Sequence, residues 1–226
     1  MNNDQNIAEP TLPMHVKKIY PVYANKKVSK FLDSDKILNL LTFGNRKKLV
    51  QSLLREIEQS ADYIQIGVTF GSQIEKVADK IGYYGNYHLV DVSKVQIERI
   101  KDKYKGIQQN INFSNQNGLA KIPFQYDGVI CFMLLHQLPP HTRKKLVNNL
   151  LSSVKDRGKV IFIDFHKPNG KILSKFTQAF HRLYNPFAED LINQEIFDSA
   201  ENKDAYFWNK SVMFDGAYQK VVAIKK

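Results

Sequence analysis

The spacing of apolar residues changes along the chain and divides it into two regions. Over residues 14–58 the apolar positions recur at helical intervals, for example at Leu49 and Leu53, and no strand pattern is present. From residue 62 onward, short apolar runs alternate with helical patterns. Such alternation is typical of a parallel α/β sheet. The runs that predict strands are residues 63–68, 88–92, 111–113, 127–135 and 159–165.

The C-terminal part follows a different pattern. Residues 211–214 and 218–224 are separated by the turn Asp215-Gly216, which predicts an antiparallel hairpin at the sheet edge. Before it, residues 171–193 predict one basic amphipathic helix or two shorter ones. Five βα units closed by an antiparallel pair indicate a class I methyltransferase fold, which is a Rossmann-like, doubly wound, mostly parallel sheet that binds S-adenosyl-L-methionine (SAM).

This pattern predicts a single structural domain with two parts. Residues 1–58 form an N-terminal helical cap, and residues 59–226 form the SAM-binding part with a helical lid over 171–193. The length of 226 residues agrees with one domain. The alternative for residues 171–193 is a helix that lies in a membrane interface, because bulky aromatic residues share the segment with lysine and arginine.

Composition excludes several classes of protein. The single cysteine, Cys131, excludes a disulfide framework and lies in an apolar run, which predicts a buried, inert thiol. No apolar run approaches the roughly 18 residues that a membrane-spanning helix needs. The polar start Met1-Asn2-Asn3-Asp4 is unlike a signal peptide, so we expect a cytoplasmic protein. The net charge of +11 is diffuse and leaves nucleic acid, an anionic membrane surface or simple solubility open.

A candidate cofactor loop follows the first predicted strand. Methyltransferase loops usually read Asp-x-Gly-x-Gly-x-Gly, and here only the outer glycines are present, with Gln65 in place of the acid. Glycine allows the backbone to approach a ligand closely, and the helix N-terminus that follows favours a carboxylate. A tight βα turn without a ligand would have the same sequence. The candidate loop residues are Gln65, Gly67, Val68, Thr69, Phe70 and Gly71.

Two further strand ends extend the candidate cofactor site. Asp91 ends the second strand 20 residues after Gly71, where a carboxylate can accept hydrogen bonds from ribose hydroxyls. Its alternative role is to cap the next helix. After the third strand, Asn115 is the candidate for adenine, and an Asx turn is the alternative. Val92, Gln116, Asn117 and Phe132 complete the predicted cofactor-binding set.

With these segments identified, the chain resembles the rhodoquinone biosynthesis protein RquA and its relatives, a divergent branch of the quinone methyltransferases. The resemblance extends from about Tyr23 to Lys225. It implies that ubiquinone is converted to rhodoquinone with SAM as the amino donor and manganese as a supporting ion. The segments that carry it are Ile64–Gly71, Val90–Val92, Phe132–His136, Asp164–Pro168, Asn185–Leu191 and Gly216–Val222.

The resemblance also suggests catalytic residues and a location. His136, Asp164 and His166 follow neighbouring strands and are candidate catalytic residues and metal ligands, and Tyr23 completes the catalytic set. A satisfied polar group below the sheet rim is the alternative for His136. The implied substrate is a ubiquinone-type lipid, so we expect peripheral attachment to the inner face of the cytoplasmic membrane and no nucleic-acid partner.

The chain departs from the family pattern at three places. Gln137-Leu138 replaces a glutamate-containing pair, Pro21-Val22 replaces two tryptophans, and Phe70 replaces a tyrosine. These losses keep three other functions open. They are a conventional SAM-dependent methyltransferase of a quinone or another small molecule, an RNA-modifying enzyme, and a catalytically inactive scaffold.

Overall fold

A computed structural model describes residues 25–106, 110–170 and 187–226 of the chain. Its centre is a seven-stranded sheet. The strands are β1 (Asp62–Ile66), β2 (Asn86–Asp91), β3 (Ile111–Asn115), β4 (Tyr126–Phe132), β5 (Val154–Phe165), β6 (Tyr206–Met213) and β7 (Tyr218–Lys225).

The strand order is β3-β2-β1-β4-β5-β7-β6, which confirms the predicted fold class. Strands β1 to β5 run parallel, while β7 pairs antiparallel with both β5 and β6. The order reverses between β1 and β4, and ligands of open α/β sheets bind outside the carboxyl ends of strands at such a point. The carboxyl ends of β1, β2, β4 and β5 therefore define where a site is expected.

Helices connect the strands and precede them. The N-terminal region 14–58 was predicted to be helical. Its residues 14–24 lie outside the described ranges, and the described part forms three helices separated by short breaks. The helices are α1 (Lys26–Leu32), α2 (Asp35–Leu41), α3 (Arg46–Leu54), α4 (Gln73–Ile81), α5 (Lys94–Tyr104), α6 (Pro140–Ser152) and α7 (Ala188–Ile192), with 3₁₀ turns at Leu135–Gln137, Ile196–Ser199 and Lys203–Ala205.

The core lies on both faces of the sheet, because alternate residues of a strand point to opposite sides. On β4, Ile130 and Phe132 join one apolar cluster, whereas Val129 and Cys131 join the other. This explains the continuous apolar run in the sequence. Cys131 is buried, as predicted, and burial raises the pKa of its thiol well above the usual value.

Several predicted boundaries differ from the structure: for example, β4 ends at Phe132 and β6 begins at Tyr206, whereas these strands were predicted over 127–135 and 211–214. Residues 156–158 were predicted to be a turn, but they lie inside β5, where Arg157 has a φ of +63°. Opposite them, the pairing with β4 shifts between Tyr126 and Gly128, so the segment is an irregularity within a longer strand. Of the helix predicted over 171–193, residues 171–186 lie outside the described ranges, and the remainder contains only α7. Among the described helices, none is long and apolar enough to cross a bilayer.

Candidate cofactor and active site

The loop after β1 turns sharply through its two glycines. Gly67 has a φ of +87° and Gly71 a φ of +75°, a region that side chains rarely adopt. The N–H of Gly67 donates to the carbonyl of Val90 over 2.8 Å. A Cβ at Gly67 would lie 3.2 Å from Leu134 Cδ2, so the loop and the segment after β4 lie against each other. The carboxyl ends of β1 and β4 therefore lie side by side.

Gln65 lies below this loop and is fully buried. Its Nε2 donates to the carbonyl of Gly67 and to Gln73 Oε1, at 2.9 and 3.3 Å. Its Oε1 accepts from Gln73 Nε2 at 3.0 Å and from the hydroxyl of Tyr87. A primary amide has two donors and two acceptor positions, and all four are used here. Gln65 therefore supports the shape of the loop and has no group left to offer to a cofactor, in contrast to its predicted role.

Asp91 ends β2 directly beside the loop. Its Oδ2 accepts from the N–H of Val68 at 2.7 Å, and its Oδ1 accepts from the N–H of Ser93 at 2.7 Å. Burial raises the pKa of Asp91 to about 6, although these hydrogen bonds and Arg99 lower it. A carboxylate has about four acceptor positions, so two remain for ribose hydroxyls. Ser93, not Asp91, supplies the side-chain cap of α5, through the N–H of Gln96.

The residues predicted to surround adenine lie at the end of β3 and directly after it, next to Asp91. Asn115 Nδ2 donates 2.9 Å to the carbonyl of Asp91, and the N–H of Gln116 donates to the same oxygen over 3.1 Å. Asn117 makes an Asx turn, because its Oδ1 accepts from the N–H of Leu119 at 3.0 Å. The amide oxygen of Asn115 makes no hydrogen bond among the described residues and can accept one from an adenine amine.

The remaining candidates differ in exposure. Val68 and Phe132 are both buried in the core, at 3% and 1% exposure, so they shape the floor of the region. Val92 and Phe70 are half-buried. Thr69 donates its hydroxyl hydrogen bond to Gln73 Oε1 and thus belongs to the amide network below the loop.

Sequence reasoning missed three cationic side chains that bind the carbonyl groups of the loop. Arg99 Nη2 donates to the carbonyl of Thr69 and Lys103 Nζ to the carbonyl of Gly71, each over 2.9 Å. Arg46 Nη2 donates to the carbonyl of Phe70 over 2.6 Å. Three consecutive carbonyls are thus held by cations. The i, i+4 spacing of Arg99 and Lys103 on α5 was the available signal, but that spacing is also common on solvated helix faces.

The anion position at the start of α4 is filled by the protein itself. The N–H of Gly71 donates to Asp33 Oδ1 at 2.6 Å, and the N–H of Ser72 donates to Asp35 Oδ1 at 3.1 Å. Burial raises the pKa of Asp35, but hydrogen bonds from Ser72 and the nearby cations outweigh it and leave the pKa lowered. The carboxylate that the sequence led us to expect from a ligand therefore comes from the N-terminal helices.

On the β4 and β5 side of the point where the strand order reverses, His136 and Asp164 form a buried pair. His136 Nδ1 and Asp164 Oδ1 are 2.7 Å apart, and because an ionised carboxylate only accepts, Nδ1 carries the proton. Asp164 also accepts from the N–H groups of Leu135 and Phe165, both at 2.8 Å. The ring of His136 contacts Phe165 edge-on, with centroids 4.7 Å apart. This geometry leaves Nε2 as the basic nitrogen.

Arg143 holds the segment that carries His136. From α6 its guanidinium donates to the carbonyls of Leu135, Leu138 and Phe187 at 3.2, 3.1 and 2.8 Å. Arg143 is almost fully buried, and burial lowers its pKa, an effect that Asp164 opposes. The backbone around His136 is thereby fixed from both sides, by Asp164 below and Arg143 beside it.

His166 does not join this pair, so the predicted metal site is wrong. Its Nδ1 donates to the carbonyl of Gly216 at 3.0 Å, and its Nε2 accepts from Lys210 Nζ at 3.1 Å. Both ring nitrogens are therefore used, and both oxygens of Asp164 accept protein hydrogens. The described ranges contain no cluster of three or more histidine, cysteine, aspartate or glutamate residues that can hold a metal ion. The donor set thus does not fit manganese. Tyr23 lies outside the described residues.

The adenine and ribose of SAM fit the polar groups that remain, which are the amide oxygen of Asn115 and the carboxylate of Asp91. In the strand order β3-β2-β1-β4, Asn115 ends β3, Asp91 ends β2 and the glycine loop follows β1. Adenine, ribose and the amino-acid portion of SAM follow one another in the same order. The sulfonium methyl group would then lie towards the end of β4, where His136 stands.

Known proteins resemble this chain in sequence. Residues 64–160 match the family model described as "Methyltransferase domain". The chain is 24% identical over 198 residues to the ubiquinone/menaquinone biosynthesis C-methyltransferase UbiE of Pseudomonas entomophila, covering 83% of this chain and 77% of that protein. For UbiE of Pseudomonas syringae pv. tomato the identity is 24% over 240 residues, with 97% and 93% covered.

Solved structures show the same fold at low sequence identity. A SAM-dependent methyltransferase from Aquifex aeolicus has a TM-score of 0.60 and 16% identity, covering 89% of this chain and 99% of its own. The N-methyltransferase NodS from Bradyrhizobium japonicum, solved with S-adenosyl-L-homocysteine (SAH), has a TM-score of 0.59 and 11% identity, covering 94% and 99%. The chain therefore has the fold of class I SAM-dependent methyltransferases, and its sequence is distantly similar to the UbiE C-methyltransferases.

Proposed function

We propose that this protein transfers a methyl group from SAM to a quinone-type small molecule, with His136 as the general base. The observation that carries the proposal is the buried His136–Asp164 pair, whose nitrogen and oxygen are 2.7 Å apart at the carboxyl ends of β4 and β5. The similarity to UbiE proteins, which are C-methyltransferases of ubiquinone and menaquinone biosynthesis, supports the substrate class.

The chemistry assigned to each residue follows from the geometry. Bound SAM supplies an electrophilic methyl group. His136 Nε2 removes the proton of a phenolic hydroxyl on the reduced ring, which makes the ring oxygen and its neighbouring carbons more nucleophilic. Asp164 keeps the Nδ1–H tautomer and stabilises the imidazolium that forms. Asp91 binds the ribose hydroxyls and so fixes the cofactor relative to His136.

Amino transfer, which the resemblance to RquA implies, has no support from this site. That reaction requires manganese in the implied scheme, and His166 is bonded to Gly216 and Lys210 instead of facing Asp164. The similar proteins named above are methyltransferases. Methyl transfer to a quinone or another small phenol is therefore our first choice.

The test is a product analysis by mass. The purified protein is incubated with SAM and a short-chain ubiquinone precursor in its reduced form, with and without added manganese. We expect SAH to form together with a product that has gained one methylene unit, without need for the metal. Exchange of a methoxy for an amino group would overturn the proposal in favour of the RquA-like reaction. Absence of SAH binding by calorimetry would exclude both reactions.

We also propose that the N-terminal helices touch an anionic membrane surface that holds the substrate. Phe31 and Leu40 are 68% and 78% exposed, and the exposed lysines Lys30 and Lys36 lie on the same two helices. Apolar side chains among cations suit the headgroup region of anionic lipids.

The test is co-sedimentation with vesicles of phosphatidylglycerol and of phosphatidylcholine. The double variant Phe31→Ser/Leu40→Ser is expected to lose binding to the anionic vesicles. Tyr84→Ser, at a side chain that is 84% exposed between α4 and β2, serves as the control and should bind like the parent. Equal sedimentation of the parent with and without anionic vesicles would contradict the membrane contact.

A further inference from the structure

We propose that Asp33 is a positioning residue for the cofactor: it sets the shape of the glycine loop through Gly71, Arg99 and Lys103. The proposal rests on the proposed function, because it assumes that SAM binds along this loop. Asp33 stands just after α1, outside the fold segment that matched the methyltransferase model, so the loop is completed by a residue from the N-terminal helices.

One oxygen of Asp33 holds the loop directly. Its Oδ1 accepts from the N–H of Gly71 over 2.6 Å. Gly71 is buried, and its φ of +75° gives the loop its second sharp turn. A hydrogen bond to an ionised acceptor is about twice as strong as one between neutral groups. Asp33 therefore fixes the peptide at the point where the loop enters α4.

The other oxygen holds the two cations that clamp the loop from outside. Asp33 Oδ2 lies 2.9 Å from Arg99 Nη1 and 3.0 Å from Lys103 Nζ. Each cation also donates to a loop carbonyl, Arg99 to Thr69 and Lys103 to Gly71. The guanidinium of Arg99 stacks on Phe70, 4.5 Å from the ring centroid. One carboxylate thus connects both ends of the segment Thr69–Gly71.

The negative charge is essential to this arrangement. The side chains of Arg99 and Asp33 are only 10% and 13% exposed, so water screens their interaction weakly. If the charge of Asp33 is removed, Arg99 and Lys103 keep their loop carbonyls but lose the anion between them. Two like charges close together repel, so we expect one cation to turn away and release its carbonyl.

The N-terminal helices are held on the domain independently of Asp33. Gln96 Nε2 donates to the hydroxyl of Ser29 over 2.8 Å, and both side chains are fully buried. A Cβ on Gly71 would lie 2.3 Å from Asp35 Oδ1 and 2.7 Å from Leu38 Cδ1, so α2 packs closely on the loop. A neutral replacement of Asp33 therefore changes the loop without detaching these helices.

The position of Gly71 predicts which part of the ligand is affected. Adenine and ribose are assigned to the ends of β3 and β2, and the amino-acid portion to the loop after β1. Loss of the clamp should therefore weaken ligands that carry the amino-acid portion. Methylthioadenosine has the adenine, ribose and sulfur of SAH without that portion, so it serves as an internal control.

The experiment measures the Kd of SAH and of methylthioadenosine by calorimetry for the full chain and for Asp33→Asn. We expect the Kd of SAH to rise about tenfold and that of methylthioadenosine to change less than about twofold, which separates a local from a general effect. Asp102→Asn, an exposed aspartate on α5 between Arg99 and Lys103, is the matched control and should bind both ligands like the parent.

Three results would overturn the proposal, and they can be told apart. If the parent binds SAH and Asp33→Asn binds it equally well, Asp33 does not position the loop. If the variant loses both ligands to the same extent, its role is general stability. If the parent itself does not bind SAH, the proposed function fails and this inference fails with it.

Discussion

Gln65 and Asp164 occupy comparable places on the two sides of the point where the strand order reverses, between β1 and β4, but they have different structural roles. Both are fully buried, near the carboxyl ends of β1 and β5. All donors and acceptors of the Gln65 amide form hydrogen bonds with Gly67, Gln73 and Tyr87, so its network ends within the protein. Asp164 instead orients His136, whose second nitrogen is left for chemistry.

This difference shows that two equally buried polar groups can have different structural roles. The β1 side is a support, because each polar atom of Gln65 is matched by another protein atom. On the β5 side, the buried carboxylate of Asp164 fixes the orientation of the His136 ring. The predictions below test whether this division between a supporting side and a reactive side is correct.

The largest effect is expected at His136. His136→Ala should lower the turnover rate by about 10²–10⁴-fold, because the substrate hydroxyl loses its base. SAH affinity should be nearly unchanged, since the cofactor groups lie on the β1 and β2 side. Steady-state kinetics and calorimetry measure the two quantities. His141→Ala, at an exposed histidine near the start of α6, is the control, and full activity of His136→Ala would refute the assignment.

A smaller effect is expected when a methyl group is added to the glycine loop at Gly71, where α2 packs against it. Gly71→Ala should lower the free energy of unfolding by about 2–4 kcal/mol, from an unfavourable positive φ and from overpacking against α2. Gly44→Ala shares a positive φ, at +79°, but its Cβ would meet no described atom within 4 Å, so about 1 kcal/mol is expected. Equal losses in denaturant titrations would mean that α2 does not press on the loop.

The third prediction concerns the pH dependence of cofactor binding. The pKa of Asp91 is raised to about 6, so at pH 5 only about a tenth of its carboxyl groups are ionised, and SAH affinity should fall by up to about tenfold from pH 7.5. Asp91→Asn should bind weakly and without this dependence. A flat profile for the parent, measured by calorimetry in matched buffers, would contradict the ribose assignment.

The raised pKa of Asp91 affects folding stability in the opposite direction: a higher pH favours cofactor binding but reduces the contribution of Asp91 to stability. The raised pKa means that the folded state holds the Asp91 proton more tightly than the unfolded state, in which the value is near 3.8. The contribution of this group to stability is therefore present below about pH 4 and declines as the pH rises to about 6. Asp91 thus costs stability at the pH where it is expected to bind the cofactor best.

The smallest effect is expected at the pair beside His166. Lys210 Nζ lies 2.7 Å from Glu195 Oε1, and the two side chains are 22% and 38% exposed. Glu195→Gln should lower the free energy of unfolding by less than about 1 kcal/mol and leave turnover within about threefold. A loss of activity comparable with that of His136→Ala would mean that His166 and its neighbours take part in the reaction.

Much of the fold was predictable because its signals are local. The βα alternation and the terminal hairpin follow from apolar spacing, and the sheet order agrees with the predicted class. The extent of β5 was not predictable, because Asp156, Arg157 and Gly158 have the composition of a turn. Val154 and Lys159 pair with β4 on either side of them and keep the strand continuous, and that pairing depends on residues far away in sequence.

The candidate site was predictable only in part. Asp91 and the glycines could be located because their places relative to strand ends are fixed by the fold. The proposed metal set was wrong because neighbouring strand ends do not determine the direction of side chains. His166 turns towards Gly216 and Lys210 on the terminal hairpin, and no spacing within the sequence encodes that contact.

The sequence by itself determined the class of fold and the strand ends at which ligand groups are expected, because hydrophobic periodicity and glycine conformations act over a few residues. The tertiary structure alone decided which polar side-chain groups are hydrogen-bonded within the protein and which remain available to a ligand. It joined Asp33 to Arg99 and Lys103 across about 70 residues of chain and placed His136 on Asp164. Such pairings follow from packing in three dimensions, where ion pairs and buried hydrogen bonds form between distant segments.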